Sequence, residues 1–178
     1  MNTIGIDPLV QHTVLFGFAL VYGCSAIHKI RHYVIFRGTL ENYRLIPAGL
    51  SSAATIMLIA AELITALLLL TPMYLAGVAI GFTLQVAYCL AISVNLARGR
   101  VHIDCGCMGA DGEGISIFHA VRNVLLAVLL ASAALPPVIR EMGILDGTIM
   151  VFALLCSVVA WAVVNKMLSN YSQQASWR

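Results

Sequence analysis

The chain has 178 residues, of which 61% are hydrophobic and 10% charged, against about 25% charged in an ordinary soluble domain. That composition excludes a water-soluble globule, and since each membrane span needs about 20 apolar residues, four or five spans use nearly all the length. Ten Lys and Arg against eight Asp and Glu give a net charge of +2 with no polybasic tail, so nucleic acid is not an implied partner.

The first apolar stretch follows Asp7, has no Lys or Arg before it and no clear small-residue cleavage site after it. It reads as a retained span over 10–27 rather than a signal peptide. The basic, aromatic run His28, Lys29, Ile30, Arg31, His32, Tyr33 marks its interfacial end. A surface segment over 29–46 comes next. Tyr33, Phe36, Leu40 and Tyr43 recur at helical spacing while Arg31, Arg37, Glu41 and Arg44 fall mostly elsewhere, the pattern of a helix lying along a membrane. Gly38 is expected to interrupt this helix and Pro47 to end it.

Spans over 50–70 and 73–97 form a tight antiparallel hairpin, with Thr71 and Pro72 suited to N-cap and N1 positions. A Gly-rich loop over 98–114 follows and carries Cys105 and Cys107. Spans over 115–135, closed by Pro136 and Pro137, and over 147–168 complete the chain. The expected fold is all-α: one integral membrane domain over 1–178, a polytopic helical bundle of about five spans with an interfacial amphipathic segment.

By parity the loops after the first and third spans lie on one side, so the amphipathic segment can cover the cysteine loop. The stretch His102, Ile103, Asp104, Cys105, Gly106, Cys107 lets the two sulfurs approach, and a disulfide closed over so short a loop is strained and exchangeable. Arg100 and His102 favour a thiolate and Asp104 opposes it. Three readings stay open: thiol exchange, two free thiols in a turn, or half of a metal site shared with His102 or a partner, since this loop alone cannot supply four good ligands and no metal centre is assigned. Cys24, Cys89 and Cys156 fall inside spans, where apolar packing is the usual role; Cys24 alone lies near the cysteine-loop side and is the candidate resolving thiol.

Glu62 falls near the bilayer midplane, where a charge is costly and functional by default. Arg122 is its candidate partner, with Gln85, Asn95 and Asn123 as possible hydrogen-bond donors; a purely structural interhelical contact is the alternative.

Taken in order, Phe36 to Pro47 (with Leu40, Glu41, Asn42, Tyr43, Arg44, Leu45, Ile46), Glu62, the run Asn95 to Arg100, Cys105-Gly106-Cys107 and Arg122-Asn123 resemble the methylamine utilisation protein MauE family, related to DoxX-like membrane proteins. The resemblance covers nearly the whole chain, with Met108 where Phe is common. It implies a bacterial inner-membrane protein that matures the disulfide-rich small (β) subunit of methylamine dehydrogenase or a similar amine dehydrogenase. A thioredoxin-like, MauD-type partner and the matching residues Cys105 and Cys107 are implied with it. Tyr43 and Arg44 would lie over the pair, while Glu62 and Arg122 hold the bundle around it.

An exported substrate places the redox chemistry in the periplasm. The positive-inside count, with Lys29, Arg31, Arg37, Arg44, Arg98, Arg100, Lys166 and Arg178 on the cysteine side and Arg140 on the other, places it in the cytoplasm. Asp104, Asp111 and Glu113 make the loop itself less basic and favour the periplasmic side. The rival functions are a non-catalytic assembly or transport factor and a quinone-linked oxidoreductase, though nothing in the sequence marks a quinone pocket or any certain cofactor.

Overall fold

The computed structural model describes residues 5–100 and 115–175, and six α-helices account for most of them: α1 (Pro8–Arg31), α2 (Tyr33–Tyr43), α3 (Ser51–Leu68), α4 (Tyr74–Ala97), α5 (Ile117–Ser132) and α6 (Ile144–Ala175). The protein is a polytopic all-α membrane bundle. Asp7 starts α1 by accepting from the Leu9 amide at 2.8 Å, with Pro8 at the first helical position, where its missing N–H costs nothing. Gly99, at φ +71°, ends α4. The Arg100 amide then reaches the Asn95 carbonyl at 3.0 Å and the Gly99 amide the Leu96 carbonyl at 2.9 Å, the paired closure that a left-handed glycine permits.

Helices α1, α3, α4 and α6 are long and apolar enough to cross a membrane; α5 has only 16 residues, about 24 Å of helix. Packing shows that α5 nevertheless runs the depth of the bundle. At one end Ala120 and the preceding Ile115 pack with Tyr43 and Ile92. At the other, the Gln11 side chain donates to the carbonyls of Ala133 (2.9 Å) and Leu135 (3.2 Å), and Ile6 bridges to Pro137. Five crossings therefore leave the cysteine-loop stems and α2 at one end, and the start of α1 at the opposite end with Arg140 bonded to Asp7 and Asp146.

Lipid tails are as apolar as Leu, so close packing rather than burial from water holds membrane helices together. The main core joins Val14, Leu15, Phe18 and Tyr22 of α1 to Ala66 of α3, Leu69 just beyond it, Val78 and Leu84 of α4 and Leu130 of α5. Helix α6 packs chiefly on α1, and no residue of its apolar span is buried.

Helix α2 differs from expectation in two ways. It passes through Gly38 without a break, and rather than merely lying on the surface it docks on α3 with Phe36, Thr39 and Tyr43 buried. The helical ladder nearly continues from α1, with the His32 amide donating to His28 and the Phe36 amide to His32. The buried stripe of α1 thereby extends into α2. Similarly, α4 begins at Tyr74 rather than at Pro72, and Thr71 closes the turn before it by accepting from the Met73 amide at 3.2 Å.

Ser51 donates to Glu41 at 2.6 Å and Arg37 donates to it at 3.0 Å, which pins α2 to the start of α3. The Ser51 hydrogen bond first, and Arg37 second, hold the Glu41 carboxyl below its ordinary value. A carboxylate favoured in the folded state contributes above its unfolded pKa, and the contribution is lost as pH falls through the lowered folded value. A spin label on outward-facing Val34 should therefore gain mobility as pH falls below the ordinary glutamate range, and Glu41→Gln should abolish that acid dependence.

Candidate functional site

A buried polar cluster lies inside the bundle beneath α2. Lys29 near the end of α1 and Glu62 in α3 form an ion pair, each 1% exposed. Lys29 Nζ also donates to Ser25 Oγ at 2.8 Å and lies 3.4 Å from Tyr88 Oη of α4. Tyr88 Oη donates to Glu62 Oε1 at 2.6 Å and Ser25 Oγ donates to the same oxygen at 3.2 Å. Oε1 thus accepts from three groups, whereas buried Glu62 Oε2 has no hydrogen-bond partner among the described residues.

The ammonium also lies 5.0 Å from the centre of the Phe36 ring and 5.1 Å from that of Tyr88, distances at which a ring face attracts a cation. Long side chains in a helix point back toward its N-terminus. Lys29 accordingly reaches inward to Ser25, one turn earlier, while Phe36 reaches back from α2 and covers it.

This geometry corrects the expected partner of Glu62. The cation is Lys29, which its position at the end of an apolar run marked only as interfacial. Arg122 instead lies over the Trp161 ring of α6 at 5.0 Å. Gln85, Asn95 and Asn123 are buried, yet none bonds to Glu62; Asn95 donates to the Ala91 carbonyl at 3.0 Å. Ser25, Tyr88 and Phe36 were also missed. The available signal was the spacing 18, 22, 25, 29, 36, 43, one helical stripe that carries a Lys.

Cys105, Cys107 and His102 lie outside the described residues, but both stems of their loop are in view. Tyr43 at the end of α2 packs with Ile92 of α4 and with Ile115, where the chain re-enters from the loop. Arg44, exposed and in the left-handed region at φ 47°, ends α2 beside it. Arg100, half-buried at the other stem, keeps Nη1 without a partner among the described residues. The amphipathic helix and the stems of the cysteine loop therefore lie at one end of the bundle. Ser116 opens α5 there, its amide donating back to His119 Nδ1 at 3.2 Å.

Among the described residues Cys24, Cys89 and Cys156 are free thiols. Cys89 packs inside, 3.7 Å from the Ala120 carbonyl, whereas Cys24 and Cys156 face outward rather than into the core. Cys24 lines an apolar cleft of about 320 Å³ between α1, α5 and α6, together with Phe18, Leu126, Leu154 and Trp161.

The family model described as methylamine utilisation protein MauE matches residues 8–136, from the first residue of α1 to just past α5. Among curated proteins, the methylamine utilization protein MauE of Methylorubrum extorquens is 38% identical over 143 residues, covering 79% of this chain and 77% of that one. That of Paracoccus versutus is 36% identical over 149 residues (82% and 80%), and that of Methylophilus methylotrophus 35% over 140 (76% and 74%). No solved structure matches the chain.

Proposed function

The chain belongs to the methylamine utilisation protein MauE family, and from that premise we propose that it serves methylamine utilisation from the bacterial inner membrane by thiol-disulfide exchange at Cys105 and Cys107. The substrate in this reading is the exported small (β) subunit of an amine dehydrogenase, served together with a thioredoxin-like, MauD-type partner. The exchange is then periplasmic. The observation that supports it is where the stems of the loop lie: Ile92 of α4, which leads into it, and Ile115, which leads out of it, pack with Tyr43 at one end of the bundle.

The chemistry balances without a cofactor. Cys105 thiolate attacks one sulfur of a partner disulfide and releases the other as thiolate. Cys107 thiolate then attacks Cys105, leaving a Cys105–Cys107 disulfide here and a dithiol on the partner; the reverse sequence donates a disulfide. Arg100 at the loop stem supplies positive charge that favours the thiolate, with His102 beside the pair in sequence. Cys24 faces the cleft between α1, α5 and α6, which gives its candidate resolving role no support.

Cys107→Ser tests the reading because it removes the resolving thiol. Cys105 should then accumulate as a mixed disulfide with an exported protein, visible as a reducible higher band on a gel, and maturation of the dehydrogenase should stop. Normal substrate disulfides in a Cys105→Ser/Cys107→Ser double variant would refute exchange and leave a non-catalytic assembly factor. The apolar cleft favours a second reading, in which the dithiol passes its electron pair and two protons to a membrane quinone, giving quinol and a disulfide. Under it the same variant traps no protein partner.

A further inference from the structure

We propose that the cleft between α1, α5 and α6 is a phospholipid site, in which one acyl chain lies along the cleft and an anionic headgroup meets Arg122 at its cysteine-loop end. Helices α5 and α6 both pack on α1 yet scarcely approach each other. The cleft of about 320 Å³ is the space left between them, within the roughly 300–1,000 Å³ usual for a small-molecule site. From Thr13 to Cys24 it follows about 16 Å of α1, half of a hydrocarbon core about 30 Å thick. That is the depth of one leaflet.

The walls specify a hydrocarbon occupant. The two hydroxyls in the lining, Thr13 and Ser157, each donate to a carbonyl one turn earlier in their own helix, Leu9 at 2.7 Å and Ala153 at 2.8 Å. Their protons are committed, so the wall offers no hydroxyl donor to a polar ligand. A gap between helices forfeits the contacts its lining atoms would otherwise make, and in a membrane the acyl chains are at hand to fill it. Close packing is what holds membrane helices together. A chain seated here therefore completes the packing of α6, none of whose apolar span is buried by protein.

Arg122 selects the headgroup. One turn before Leu126 of the lining, its guanidinium lies over the Trp161 ring and bridges α5 to α6 at the cysteine-loop end of the cleft. A long side chain in a helix points back toward the helix start, which for α5 is the interfacial end. Stacking on a ring uses the face of a guanidinium, while its five N–H donors lie in the plane and suit a phosphate edge-on. A headgroup of net negative charge carries no ammonium to compete with Arg122, and Arg and phosphate pair bidentately, whereas a quinone presents a neutral carbonyl. The site stands whether or not Cys105 and Cys107 exchange disulfides.

Tryptophan fluorescence reads the occupant directly, because Trp161 lines the cleft and Trp177→Phe leaves it the only tryptophan of the full chain. In mild detergent micelles, phosphatidylglycerol brominated on its acyl chains should quench Trp161 along a saturating curve. Half-quenching should come at about fivefold lower mole fraction than with brominated phosphatidylcholine. Arg122→Gln should bring the two curves together, and Arg122→Lys, which keeps the charge, should hold them apart. Ser157→Phe fills the cleft from an exposed position of α6 and should remove the saturating component for both lipids. Displacement of the quencher by unbrominated phosphatidylglycerol needs no change at Arg122, so poor folding of the Gln variant leaves the test intact. Quenching that never saturates, that survives Ser157→Phe, that is equal for the two headgroups, or that is displaced by a short-chain ubiquinone and not by phosphatidylglycerol would overturn the proposal. The cysteine redox state does not enter this readout, so failure of disulfide exchange and failure of the lipid site remain separate results.

Discussion

Lys29→Met is expected to destabilise the folded bundle by about 3–5 kcal/mol, the range for removing one partner of a buried ion pair. The substitution preserves much of the aliphatic bulk of the side chain and removes only the ammonium. Glu62 is left 1% exposed with Ser25 and Tyr88 as its donors and no counter-charge. The companion variant separates charge from packing. Lys29→Met/Glu62→Leu should recover most of the loss, because two buried charges exchanged for apolar groups of similar volume are often neutral or better. A thermodynamic cycle built from reversible unfolding in mixed micelles measures the coupling between the two positions. Single losses that simply add in the double variant would show that the pair is not a unit. If the double variant is stable yet inactive, the pair is kept for something other than stability.

The second large effect concerns the same substitution at different glycines. A Cβ on Gly77 would lie 2.9 Å from the backbone nitrogen of Leu69 and 3.1 Å from Leu68 Cβ. Neither atom can yield unless the end of α3 moves away from α4. At Gly81 the Cβ would meet Leu130 at 2.8 Å and Thr65 and Tyr22 at 3.1 Å, where three other helices converge and Tyr22 donates to the Gly81 carbonyl at 2.7 Å. Gly77→Ala and Gly81→Ala should each cost about 1–3 kcal/mol through overpacking. Gly38→Ala meets nothing within 4 Å and should instead stabilise by up to about 1 kcal/mol from helix propensity alone. Opposite signs for one chemical change, read as shifts in the unfolding midpoint, distinguish close helix approach from intrinsic preference. A stabilised Gly77→Ala would mean that α3 and α4 do not approach as described.

Glu62 announced itself in the sequence, because a single acid in an otherwise apolar span is conspicuous. Its partner did not, for a specific reason. A Lys at the end of a span reads as interfacial, its ammonium free to snorkel into the headgroups, and Lys29 was counted that way. What reverses the reading is α2. Because α2 follows α1 after the single residue His32, the buried stripe of α1 extends beyond the span, and Phe36 covers the ammonium that would otherwise reach water. Arg122 looked equally well placed by depth, but depth does not give azimuth: the rotation of α5 turns its guanidinium toward Trp161. Gly38 misled for the opposite reason, since a glycine weakens a helix only modestly and the docking of α2 on α3 outweighs it.

The sequence by itself determined the class of the protein, the five apolar segments to within a few residues at most boundaries, the amphipathic segment, the exceptional acid and the parity that brings α2 and the stems of the cysteine loop to one end. These follow from hydrophobic length and period, which are local properties of the chain. Only the tertiary structure decided which cation meets Glu62 and that Tyr88 and Ser25 complete the cluster on one of its carboxylate oxygens. Those facts depend on how each helix is rotated about its axis and how closely it approaches its neighbours, and a linear pattern fixes the face of a helix without fixing what that face meets.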